Sequence, residues 1–155
     1  MEKDLEHAQI RFPPPMLFLV FLIGALVLNW LFPLPEPWTT ILRTAGGVAV
    51  VAGLALGGTA VSQMRQARTS PDPERPTTAL VTDGPYRFTR NPIYLGFLLI
   101  YLGFTLLAGT LWGLLLSPIL LWIATRLIVR AEEGYLAGRF PDQYQAYKAR
   151  ARRWI

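Results

Sequence analysis
Gly84-Pro-Tyr-Arg-Phe-Thr-Arg-Asn-Pro-Ile-Tyr-Leu-Gly96 is a polar, aromatic and basic stretch that runs straight into an apolar segment, Pro92 to Leu107. Its Asn91-Pro92 pair has the form of a helix start, because Asn caps well and Pro fits the first helical turn, where its missing N–H is no loss. A start signal accounts for two residues. It leaves Tyr86, Arg87, Arg90 and Tyr94 crowded at the same helix end, where backbone N–H groups and arginines together favour an anion. A second polar cluster, Arg130-Ala-Glu-Glu133, follows the next apolar run, Leu111 to Val129. Charged clusters at matching ends of two membrane-length segments are costly unless they are solvated, paired or used. The pattern predicts a site at a membrane surface.

Working outward, two more apolar runs precede the motif. Met16 to Phe32 follows Pro13-Pro-Pro15, and Ile41 to Val61 follows the turn Pro33 to Pro37. The first run could be taken for a signal peptide. The residues before it are acidic as well as basic and no small-residue cleavage site follows, so a retained helix is expected. The second carries small residues at every fourth position, Ala45, Ala49, Gly53 and Gly57, a ladder best read as helix packing. Gln63 to Thr82 reads as a polar loop with Pro71, Pro73 and Pro76, and Ala108-Gly109-Thr110 as a tight connection. Pro118 should kink the fourth run. Residues 1–12 read as a polar surface helix or tail, and residues 130–155 as an amphipathic, basic helical segment.

Composition agrees with a membrane protein. Hydrophobic residues make up 52% of the 155 residues and charged ones only 16%, against about 25% charged in soluble proteins. The net charge of +5 is better explained by basic loops on one side of a membrane than by nucleic acid. Cysteine is absent, which excludes a disulfide framework and a thiolate nucleophile. His7 lies in the charged leading segment and reads as a solvated residue, and no dedicated metal site is expected. Loop 63–92 and the segment after Val129 hold most of the arginines, while the short connections 33–40 and 108–110 hold none. With four spans, both basic segments and both polar clusters face the cytoplasm.

The expected architecture is therefore all-α: one membrane-embedded domain over 1–155, with about four transmembrane helices and a cytoplasmic amphipathic helix at the end. Residues 1–62 hold two spans and 80–155 hold the motifs. If the fourth helix continues past Val129, Arg126, Arg130 and Glu133 share a face at i, i+4 and i+7. Arg126, inside the apolar run, then needs a carboxylate, water or a ligand. Phe140, Tyr144 and Tyr147 form a stripe read mainly as packing, and Lys148 to Trp154 reads as an interfacial anchor on anionic lipid.

The motif Gly84-Pro-Tyr-Arg-x-x-Arg-Asn-Pro-Ile-Tyr-Leu-Gly96 resembles the signature of the isoprenylcysteine carboxyl methyltransferase family. The segment Glu132-Glu-x-x-Leu-x-x-x-Phe-Pro-x-x-Tyr-x-x-Tyr147 resembles that family's second motif. The Asn-Pro-x-Tyr form and the Glu pair also resemble phospholipid N-methyltransferases of the same broad group. The resemblance covers about residues 80–155 and implies a membrane methyltransferase that takes S-adenosylmethionine (SAM) from the cytosol and a lipophilic acceptor from the bilayer. It implies cofactor-binding roles for Tyr86, Arg90, Asn91, Pro92, Tyr94, Gly96, Glu132 and Glu133, with Arg90, Asn91 and Tyr94 at the reacting end. Asn91 stands where His is frequent, so proton transfer is not available there. Pro141 stands where Gly usually follows the Phe. The acceptor stays open among an isoprenylcysteine-type carboxylate, a phospholipid amine and a related small lipophilic group. The cytoplasmic membrane is the expected location, and an oligomer through the small-residue face of the second span is open. Two other readings are an NADPH-dependent membrane reductase of related architecture and a non-enzymatic assembly module. The first would bind NADPH instead of SAM, and the second leaves both polar clusters unexplained.

Overall fold
The computed structural model describes residues 13–35, 40–72 and 75–155. Its elements are helical: α1 (Pro14–Leu31), α2 (Thr40–Gln66), a 3-10 turn (Gly84–Arg87), α3 (Pro92–Ala108), α4 (Leu111–Ala124), a π-helical turn (Thr125–Val129), α5 (Arg130–Arg139) and α6 (Pro141–Arg150). Among the described residues, three helices are long and apolar enough to cross a membrane: Pro14–Leu31, Thr40–Gln66 and the continuous run Leu111–Arg139. The apolar α3 is shorter, at 17 residues. The leading segment with His7, and residues 36 and 37 of the expected turn at 33–37, fall outside the described residues.

Size sorting in this bundle is the reverse of a soluble core. Large apolar side chains such as Ile23, Val48, Val51 and Leu54 point outward and are more than half exposed, as lipid-facing positions are. Small residues lie inside. A Cβ at Gly53 would sit 2.6 Å from the Gly96 carbonyl oxygen, and one at Gly46 would sit 2.8 Å from that of Gly103. These contacts set α2 and α3 antiparallel with backbones touching. The ladder on α2 is thus a helix seam, but it runs through Gly46, Gly53 and Ala60, all buried, while Ala45 is exposed. α3 fills this seam at Gly46 and Gly53.

Around α3 the remaining helices close a small apolar core. Phe18 of α1, Tyr101 of α3 and Leu120 and Ala124 of α4 pack together. The Tyr101 hydroxyl donates to the Gly113 carbonyl at 2.8 Å, which satisfies a buried phenol. Gly109 ends α3 at φ +70°, and its N–H donates back to Leu106 and Thr105 carbonyls. This is the left-handed cap that a non-Gly residue adopts only with strain.

Several boundaries differ from expectation for identifiable reasons. The helix α2 continues through Gln63 to Gln66, because nothing in Ser62-Gln-Met-Arg-Gln66 breaks a helix. Pro118 lies inside α4, and the hydrogen-bond register changes further along, in the π turn. The single helix expected after Val129 is two short ones. Pro141 drives Phe140 out of the helical region, to φ −131° and ψ 64°, and then opens α6 at its first position.

Candidate functional site
The site lies where α1 starts, α2 ends, α3 starts and α5 starts. Pro92 occupies the first turn of α3. Asn91 precedes it, and its carbonyl accepts the Leu95 N–H at 3.0 Å. Its side chain does not cap the helix. The side-chain amide instead donates to the Arg153 carbonyl at 2.9 Å. The same carbonyl accepts from the Thr89 hydroxyl at 3.1 Å, and the Arg90 N–H donates to the Arg152 carbonyl at 2.8 Å. The segment after α6 is therefore strapped across the start of α3.

Three charged groups meet beneath that strap. Glu133 is held in a fork by Arg153: Nη2 donates to Oε2 at 2.7 Å, and Nε lies 3.0 Å from Oε1. Arg90 Nη2 reaches Glu133 Oε1 at 3.1 Å. The Arg90 side chain is only 7% exposed, and its Nε has no hydrogen-bond partner among the described residues. A buried charged donor left open is expensive, so this N–H is suited to an incoming anion. The fork with Glu133 holds the Arg153 guanidinium above its already high range. Glu132 points elsewhere, and Tyr94 donates to its Oε2 at 2.8 Å.

A cavity of about 530 Å³ opens at this end, within the roughly 300–1,000 Å³ usual for small-molecule sites. Tyr86, Arg90, Asn91, Pro92, Tyr94 and Glu132 line it. Its walls are otherwise mainly apolar, with Val61 and Met64 from α2, Phe97 from α3 and Leu136 from α5. Six of the eight residues singled out in the sequence thus share one cavity. Glu133 stands behind Arg90, outside the lining. Gly96 stands apart: it lies in the α2–α3 seam, where a Cβ would be 2.8 Å from the Gly53 carbonyl oxygen.

Aromatic residues brace the site from the loop side. Tyr147 donates its hydroxyl to the Tyr86 carbonyl at 2.7 Å and lines the cavity. It packs edge-on to Tyr144, with ring centroids 6.2 Å apart. Burial, reinforced by the Glu132 charge, pushes the Tyr86 phenol well above its usual range, so it keeps its proton as a donor. Burial likewise pushes Tyr144 up to about 12. The stripe is packing, as expected, although Tyr147 also borders the cavity.

The shared face expected for Arg126, Arg130 and Glu133 does not form. The π turn Thr125–Val129 changes the helical phase between them. Arg126 and Arg130 are exposed, and the Arg126 guanidinium lies 5.6 Å from the Trp122 ring centroid, a cation–π contact. Glu133 turns inward to the arginines. Sequence reasoning missed Arg153, because a basic run with no periodic partner reads as a lipid anchor. It also missed Asp72 and Thr77, which line the cavity from the loop.

A bundle with lipid-type outer faces and a charged, tyrosine-lined cavity defines an integral membrane protein with a candidate ligand cavity at one end of its helices. The model of one family, phospholipid methyltransferase, matches residues 41–143, and this chain belongs to that family. It is 39% identical over 69 residues to a protein-S-isoprenylcysteine O-methyltransferase of Schizosaccharomyces pombe, a match covering 44% of this chain and 29% of the yeast protein. It is 36% identical over 63 residues to an uncharacterized protein of Haemophilus influenzae, covering 41% of this chain and all of that one. The chain thus spans under a third of the length of the yeast enzyme it matches. No solved structure matches it.

Proposed function
We propose that this chain is a SAM-dependent methyltransferase that methylates a lipophilic acceptor drawn from the bilayer. The observation that carries the reading is the pairing of Arg90 and Glu132 in one cavity. Among the described residues Arg90 offers a buried Nε–H with no hydrogen-bond partner, and Glu132 offers a carboxylate that accepts from Tyr94. These are complementary to the carboxylate and ammonium of an amino-acid moiety, the zwitterionic end of SAM. SAM supplies an already activated methyl group on its sulfonium, so the chain has no leaving group to protonate.

The residues then have three tasks. Arg90 and Glu132 fix the donor's polar end. Tyr94 holds Glu132 in place, and the apolar walls from Phe97, Met64 and Leu136 exclude water and keep donor and acceptor in line. The acceptor's lone pair forms the new bond to carbon while the carbon–sulfur pair returns to sulfur, leaving S-adenosylhomocysteine. A carboxylate acceptor needs no base. A protonated amine must first lose a proton, and with Glu132 held to the donor, Asp72 is the other carboxylate lining the cavity for that step. The yeast relative's name points to an isoprenylcysteine carboxylate and the family's name to a phospholipid amine, so both belong in the assay. The distribution of basic residues supports a cytoplasmic opening in the cytoplasmic membrane.

The test is incubation of the lipid-supported protein with methyl-labelled SAM and a membrane lipid extract, with identification of the labelled product. Calorimetry with SAM, S-adenosylhomocysteine and NADPH runs beside it. Label in a lipid product and binding of S-adenosylhomocysteine are expected. A folded sample that binds NADPH and neither adenosyl ligand would overturn the reading in favour of a reductase.

A further inference from the structure
We propose that Arg153 is a positioning residue of the donor site, acting through Glu133 to keep Arg90 available for the donor's anionic end. The inference rests on the methyltransferase reading and deepens it. Arg153 lies beyond residues 41–143, which the family model matches.

The geometry runs in one chain of contacts. Arg153 occupies both oxygens of Glu133, with Nε at 3.0 Å and 3.2 Å and Nη2 at 2.7 Å. Arg90 touches the same carboxylate through Nη2 alone, at 3.1 Å. Because the fork fills Glu133, Arg90 has no room to make its own fork, and its Nε stays open among the described residues in a side chain that lines the cavity. The charges follow the same logic. Two guanidinium groups share one carboxylate, leaving a net positive charge at the Arg90 end, while Glu132 is the carboxyl group on the other polar wall. A zwitterion is matched only while Arg153 is in place. Without it, Glu133 is free to take Arg90 Nε and Nη2 in the bidentate geometry that guanidinium and carboxylate favour, and the donor loses its anion partner.

The substitution that isolates this effect is Arg153→Gln. The strap is held by backbone atoms: the Arg153 carbonyl accepts from Asn91 and Thr89, and the Arg152 carbonyl accepts from Arg90 N–H. These contacts do not need the Arg153 side chain. Loss of a charged hydrogen bond to the donor predicts a Kd for S-adenosylhomocysteine about tenfold weaker or more, with a matching rise in the donor KM. The acceptor KM and kcat should hold. In a Glu133→Gln background, Arg153→Gln should change the Kd by less than about twofold, because the residue through which it acts is already neutral.

A side chain that merely supports the fold would give a different pattern. It would lower Tm, weaken donor and acceptor together, and add its full effect in the Glu133→Gln background. Any of these, or an unchanged donor Kd in Arg153→Gln, overturns the proposal. If Glu133→Gln does not fold, the KM split alone decides, with Arg153→Lys expected to recover only part of the affinity because an ammonium cannot make the fork. No binding by the unsubstituted protein would instead overturn the methyltransferase reading, so the two failures are distinguishable.

Discussion

Two adjacent glutamates, alike in sequence, have opposite surroundings. Glu132 faces the cavity with Tyr94 as its hydrogen-bond donor. Glu133 is consumed by Arg90 and Arg153. Glu132→Gln should leave Tm within about 2 °C and weaken donor binding by a charged hydrogen bond, about 1.5–3 kcal/mol. Glu133→Gln should instead lower Tm as well, because two guanidinium groups lose their shared counter-charge. Thermal unfolding beside calorimetry separates them, and equal Tm losses would remove the distinction. Asn91 is a comparable case. The sequence offers a cap or a cofactor contact, and the structure adds a third role, donation to the Arg153 carbonyl. An ionised Asp has no such donor and would set a negative charge against that carbonyl. Asn91→Asp should therefore cost about 1–3 kcal/mol of stability along with most methyl transfer. An Asp variant with normal Tm and activity would reduce this residue to its position at the helix start. Tyr86, Arg90 and Tyr94 were legible because their types are costly at a membrane helix end. Arg153 was not, since its meaning depends on a fold-back across 62 residues of chain to Asn91.

The elements were legible where one apolar run makes one helix, and less so where two backbones set the register. Small residues on α2 announced a close contact, but the four-residue ladder named Ala45 and Ala49, whereas the seam follows Gly46 and Gly53. Spacing alone could not choose, because the choice depends on where α3 places Gly96 and Gly103. The register makes a sharp contrast between glycines four residues apart. A Cβ at Gly53 meets the Gly96 carbonyl oxygen and the Ile100 side chain, both within 3 Å, and one at Gly57 meets nothing within 4 Å. Gly53→Ala should push α2 from α3 and cost about 1–3 kcal/mol, while Gly57→Ala should be neutral or slightly stabilising, since Ala is the better helix former. Comparable melting temperatures for the two variants in detergent would disprove the seam. The π turn was likewise invisible to periodicity. It shifts the helical phase just before the adjacent glutamates.

Across the whole molecule, that seam also fixes the depth of the site. With Gly53 against Gly96 and Gly46 against Gly103, the start of α3 lies level with Gly57, and α2 runs on to Gln66. At 1.5 Å per residue the overhang is about 13 Å. Val61 and Met64 on it wall the cavity, and α3 itself is about 25 Å long, a little short of the roughly 30 Å hydrocarbon core. A short α3 beside a long α2 therefore recesses the Arg90 end below the end of α2, with a protein wall around it. That arrangement suits a polar donor meeting a lipid acceptor. It requires that α3 cross with α2, giving four crossings, and that the loop after α2 share its side with the strap after α6. The cysteine-free sequence allows a direct check with single cysteines at two exposed positions, Pro35 and Arg75. Arg75→Cys should react with a membrane-impermeant maleimide only from the cytoplasmic side, and Pro35→Cys only from the opposite side. Labelling of both from one side would mean that α2 does not cross, and the recessed site would lose its physical basis.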